Sequence, residues 1–82
     1  MMITVYWDNG HDATTAKTRQ FKRFGNALNF ARKLNQTNPG YMDITTDTEI
    51  GYYDKYGRAK SELVAGEHYQ LEHIEQMMEK YS

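Results

Sequence analysis

A scarcity of large aliphatic residues is the feature that most constrains how this chain can fold. Leu, Ile, Val and Phe supply 13 of the 82 residues, and a chain this short buries only about 60% of the surface that its unfolded form exposes. Disordered chains are also poor in these residues, but they carry a high net charge, whereas the net charge here is −1. Seven Tyr, one Trp and five Met add apolar surface. We therefore predict that residues 1–82 form one compact domain whose thin core depends on aromatic and Met side chains.

Alternating side chains predict two strands near the start of the chain. Residues 2–7 are rich in the β-branched and aromatic residues that strands favour, and turn-forming residues follow them. Residues 16–24 form the second predicted strand. Neither of its faces is apolar, which is typical of an edge strand protected by charge. Alternation places four side chains of interest on one of these faces: Lys17, Arg19, Phe21 and Arg23.

Helical spacing of apolar residues predicts two helices. Asn26 is the expected N-cap of the first, which ends within residues 35–40, where Pro and Gly break it. The second covers residues 67–80. Its apolar stripe recurs at helical spacing and is formed by Leu71, Ile74, Met78 and Tyr81, with Met77 alongside.

Three further strands are predicted between the helices. They cover residues 41–46, 50–53 and 58–64, and the last two are joined by a turn at residues 54–57. Ala, Lys and Glu in residues 58–64 also suit a helix, so that segment is left open. The resulting order is β-β-α-β-β-β-α. We interpret it as an α+β fold, with a small antiparallel sheet and two helices packed on one face.

The chain lacks the residues that several functional classes require. The chain has no Cys, which excludes disulfides, thiolate nucleophiles and Cys-ligated metal sites. Its apolar runs are too short to span a membrane, and residues 1–7 lack the basic leader of a signal peptide. We expect a cytoplasmic protein without membrane contact.

No known catalytic motif is present, and two pairs of residues are weak candidates for metal ligands. His11 and Asp12 lie together in a predicted loop, while His68 and Glu72 are spaced i, i+4 on the second predicted helix and could face one ion. Such pairs more commonly form solvated loops or surface salt bridges. We expect no catalytic residue, no metal and no cofactor.

The distribution of charge and the number of aromatic residues favour a function in binding a protein or nucleic-acid partner. Residues 1–40 carry a net charge of +4 and residues 41–82 one of −5, an asymmetry that can orient a partner or join the two halves within one fold. The basic strand could contact phosphates and stack a base on Phe21, although the pI of 6.3 is low for a dedicated nucleic-acid binder. The Tyr residues outnumber what a thin core can bury, and Tyr and Arg are enriched at protein interfaces. The partner-binding candidates are Lys17, Arg19, Phe21, Arg23, Tyr52, Tyr53, Tyr56 and Arg58.

The first half of the chain resembles small phage and mobile-element proteins, including inhibitors of bacterial defence such as anti-CRISPRs. The resemblance lies in the small size, the absence of Cys, the charged strand ending Phe21-Lys22-Arg23-Phe24-Gly25 and the short helix after it. It implies a protein that occupies a surface of a host complex rather than turning over a substrate.

Three hypotheses remain open. The leading one is a non-enzymatic protein-binding module, the second a small nucleic-acid-associated regulator, and the third a metal-dependent enzyme or subunit.

Overall fold

The computed structural model describes residues 1–38, 40–53 and 55–81. In this part of the chain there are five strands and two α-helices, in the order predicted, and the α+β class is confirmed. The strands are β1 (Ile3–Trp7), β2 (Lys17–Phe21), β3 (Met42–Thr46), β4 (Ile50–Tyr53) and β5 (Ala59–Leu63). The helices are α1 (Phe24–Thr37) and α2 (Leu71–Tyr81), and neither is long and apolar enough to cross a membrane.

The five strands divide between two antiparallel sheets rather than forming one. β1 lies at the centre of the first sheet, with β2 on one side and β3 on the other. β4 and β5 form a separate hairpin in which Ile50 pairs with Leu63. The segment left open between strand and helix is therefore a strand, because its backbone pairs across the hairpin.

The hydrophobic core lies on one face of the three-stranded sheet. Ile3 and Val5 are fully buried, and Val5 lies opposite the buried Ile44. Both helices cover this face, because their apolar residues belong to the same cluster. The hairpin joins that cluster through Leu63, which is also buried. An aliphatic-poor chain thus assembles one shared core from both sheets.

The β2–α1 junction differs from the prediction. β2 ends at Phe21, and α1 begins at Phe24 with Arg23 in the N-cap position, although no side chain caps it. The expected cap, Asn26, lies inside the first turn instead. The longer helix brings the partly buried Phe24 against the core, so packing outweighs the capping preference of Asn. At its other end α1 stops at Thr37, within the predicted range of residues 35–40.

α2 begins at Leu71, four residues later than predicted. The preceding residues are held by the edge of β3, where Ile44 and Tyr69 exchange two backbone hydrogen bonds of 2.8 and 2.9 Å. A segment that is paired in this way cannot also close helical hydrogen bonds. The buried stripe of α2 is Leu71, Ile74 and Met77, with Met78 only partly buried.

Candidate functional site

The basic strand β2 lies at an edge of the sheet and is largely exposed. Lys17 lies opposite Trp7, and Arg19 lies opposite Val5. Since paired residues in antiparallel strands point to the same face, both cations project on the side of the sheet that the helices cover. They extend past the covered core into solvent.

Arg19 is held in place by two aromatic rings. Its guanidinium carbon lies 5.3 Å from the centre of the Phe21 ring and 5.0 Å from that of Phe30, within the range of a cation–π contact. Phe21 itself packs against the core, and its ring centre is 5.3 Å from that of Phe30. Phe21 is thus engaged within the fold, which leaves less of its ring to stack on a nucleobase.

Arg23 does not belong to the same row of side chains as Lys17 and Arg19. It follows the end of β2 and occupies the N-cap of α1. The prediction that all three cations share one strand face was wrong for Arg23, because the helix begins earlier than the sequence pattern indicated. Lys22 and Arg23 instead form an exposed basic corner beside the first turn of α1, which contains no acidic residue.

The tip of the β4–β5 hairpin carries an exposed aromatic residue between two cations. Tyr56 is 70% exposed. The Lys55 ammonium lies 5.1 Å and the Arg58 guanidinium carbon 5.3 Å from its ring centre. Gly57 has a φ of +80°, a backbone conformation that favours Gly in a tight turn. The side chains of Tyr52 and Tyr53, two other candidates, lie outside what the structure describes.

A buried carboxylate on the opposite face of the sheet was missed by sequence reasoning. Asp43 Oδ2 accepts a hydrogen bond of 2.9 Å from the Tyr41 hydroxyl and lies 3.1 Å from His68 Nδ1. The hydrogen bond to Asp43 raises the pKa of Tyr41. A similar 2.9 Å bond from Tyr6 to Asp8 raises the pKa of Tyr6. Alternation in β3 could have put Asp43 and Tyr41 together, but nothing in the sequence indicated the contact with His68.

The candidate metal pairs do not assemble into sites. His68 lies before α2 and pairs with Asp43, so it is not one helical turn from Glu72 as predicted. His11 and Asp12 lie in an exposed loop, where the Asp12 carboxylate accepts a 2.9 Å bond from the Thr14 amide. No cluster of three or more potential ligands occurs within the described residues.

Some of the opposite charges of the two halves of the chain pair with each other within the fold. Arg32 on α1 and Glu75 on α2 form an ion pair with 2.7 Å between Nε and Oε1. This contact joins the basic and acidic halves, and it leaves the cations of β2 and the basic corner facing outward.

Comparison with protein-family models, with curated proteins and with solved structures found no match.

Proposed function

We propose that this protein is a non-enzymatic protein-binding module whose contact surface is centred on Tyr56. The observation that carries the proposal is the 70% exposure of this ring at a hairpin tip. A large aromatic side chain gains most from burial, and Tyr and Arg are the residues that most commonly dominate the binding energy of protein interfaces. An exposed Tyr between Lys55 and Arg58 has this composition.

The two cations beside Tyr56 indicate which chemical groups a partner's surface would carry. Both positive groups lie within about 5 Å of the ring centre, so the tip presents an apolar ring and positive charge together. A partner with an apolar pocket edged by carboxylates would complement it. The resemblance to anti-CRISPR-type inhibitors supports a host defence complex as the partner and surface occupation as the mode of action.

A nucleic-acid-associated role is the second candidate, because four cations gather at β2 and the corner after it. They are exposed and are formed by Lys17, Arg19, Lys22 and Arg23. Packing of Phe21 against Phe30 leaves mainly phosphate contacts for this surface, and these are strongly weakened by salt.

Affinity capture from a candidate host, with and without nuclease, tests the proposal. We expect a protein partner whose recovery survives nuclease and falls by more than about tenfold with Tyr56→Ala. Val64→Ala, which truncates another exposed apolar side chain, is the matched control and should leave recovery unchanged. Arg19→Ala should reduce recovery no more than Tyr56→Ala does.

The nucleic-acid alternative makes the opposite prediction. Binding to short DNA or RNA should be weak or absent at about 150 mM salt. Tight oligonucleotide binding that declines steeply with salt and disappears with Arg19→Glu would overturn the protein-binding proposal.

A further inference from the structure

The outer edge of β2 has no pairing strand within the described residues. β2 pairs with β1 on its inner side only, and no other backbone hydrogen bond of Lys17–Phe21 occurs in the described part of the chain. An edge of this kind presents a row of amide and carbonyl groups that can pair with another extended segment.

The side chains along this edge carry one sign of charge. Lys17 and Arg19 lie on the face that the helices cover, and Thr18 and Gln20 lie on the other face. β2 contains no acidic residue. Arg19 is also held over the rings of Phe21 and Phe30, so its guanidinium needs little ordering when a partner binds.

We propose that the outer edge of β2 binds an extended acidic segment of a partner protein as an added strand. Cross-strand pairing would put acidic side chains at alternate positions, opposite Lys17 and Arg19. The residues between them would be neutral and would lie beside Thr18 and Gln20. The inference rests on the proposal that the protein is a binding module, but it concerns a surface separate from Tyr56.

The positive charge of β2 and the backbone groups along its outer edge distinguish between three possible occupants of that edge. A second copy of β2 would place Lys and Arg side chains opposite one another, which is destabilising. Nucleic acid would meet the cations but would leave the amide and carbonyl row without backbone partners. An acidic strand satisfies both the charges and the backbone groups.

A short synthetic peptide of alternating Glu and Val, about eight residues long, tests the proposal. We expect hydrogen exchange of the β2 amides to slow on addition of this peptide, and binding to weaken with salt. A peptide with Lys in place of Glu should not bind. N-methylation of amides on both edges of the Glu peptide should abolish binding, because either edge can pair with β2, depending on the direction in which the peptide lies.

Charge reversal on the protein provides the second measurement. Arg19→Glu and Lys17→Glu should each weaken peptide binding by about tenfold. Lys33→Glu, an equal charge change on α1, should leave it nearly unchanged, and thermal melting establishes that each variant is folded. Tyr56→Ala should bind the peptide normally, which separates this inference from the proposed function.

Four results would overturn the inference. The first is peptide binding that is insensitive to methylation of both edges, since it would then depend on charge alone. The second is slowed exchange of the β2 amides on self-association of the protein without peptide. The third is equal protection of those amides by an oligonucleotide. The fourth is absence of peptide binding. If Tyr56-dependent capture is intact in that case, the outer edge of β2 is not a binding surface, and the proposed protein-binding function is unaffected.

Discussion

Asp43 Oδ2 lies 3.1 Å from His68 Nδ1, although 25 residues separate the two along the chain. The contact links β3 to the segment that precedes α2, next to the backbone bridge between Ile44 and Tyr69. The Asp43 side chain is 7% exposed and that of His68 is 68% exposed. The two partners therefore contribute differently to stability.

Replacement of Asp43 should destabilise the fold more than replacement of His68. Asp43→Ala leaves the Tyr41 hydroxyl without its acceptor, and we expect the free energy of unfolding to fall by about 1–3 kcal/mol. His68→Ala removes a mostly exposed partner and should cost less than about 1 kcal/mol. Urea denaturation measures both values. Equal losses would show that the Tyr41 bond contributes nothing.

Two Gly→Ala substitutions should have opposite effects. A Cβ at Gly40 would overlap the backbone of Asp8 and Asn9, while a Cβ at Gly25 would meet nothing within 4 Å. Gly40→Ala should lower the melting temperature because the backbone must move. Gly25→Ala should leave the melting temperature unchanged or raise it, because Ala favours the helix. The corresponding gain in the free energy of unfolding is at most about 1 kcal/mol. A stable Gly40→Ala variant would contradict the close approach of the two loops.

Ile74 should be essential to the core. It is fully buried on α2, and Ile74→Ala should reduce the free energy of unfolding by about 2–5 kcal/mol, a large part of the stability of a small domain. Glu72→Ala, an exposed change on the same helix, should stay within about 0.5 kcal/mol. An unchanged melting temperature for Ile74→Ala would refute the packing of α2.

Asp47 should contribute a pH-dependent part of the stability. Its Oδ1 accepts a 2.7 Å hydrogen bond from the Met2 amide, and this bond is the main reason that the pKa of Asp47 is held below its ordinary value of 3.8. Because the folded pKa is lowered, the stabilisation is present above the unfolded pKa and is lost as the pH falls through the folded pKa.

Asp47→Asn tests this dependence. The variant should be less stable than the native protein at neutral pH, and the difference should close as the pH falls below about 4. Glu67→Gln serves as the control, since the Glu67 side chain makes no hydrogen bond within the described residues. Denaturation curves at several pH values are the measurement, and a constant difference across the acid range would contradict it.

We expect no specific divalent-metal site. Stoichiometric Zn²⁺ or Mn²⁺ should leave the melting temperature unchanged, because no cluster of three or more potential ligands occurs within the described residues. A substantial rise that was abolished by His68→Ala or His11→Ala would show a metal site and would favour the enzymatic hypothesis.

The sequence alone determined the class of fold and the character of its elements. Alternation in residues 2–7 and the helical spacing of Leu71 and Ile74 correspond to β1 and α2, because these patterns follow from the backbone geometry of each element. The turn around Gly57 could also be predicted from the local sequence, since it depends on the conformational freedom of Gly.

The tertiary structure decided where the elements begin and which side chains meet. Burial of Phe24 started α1 before its expected cap, and this removed Arg23 from the row formed by Lys17 and Arg19. Pairing of Tyr69 with Ile44 shortened α2 and turned His68 away from Glu72 towards Asp43. These contacts join residues far apart in the chain, and their free energy comes from shared burial and backbone pairing, which no local pattern encodes.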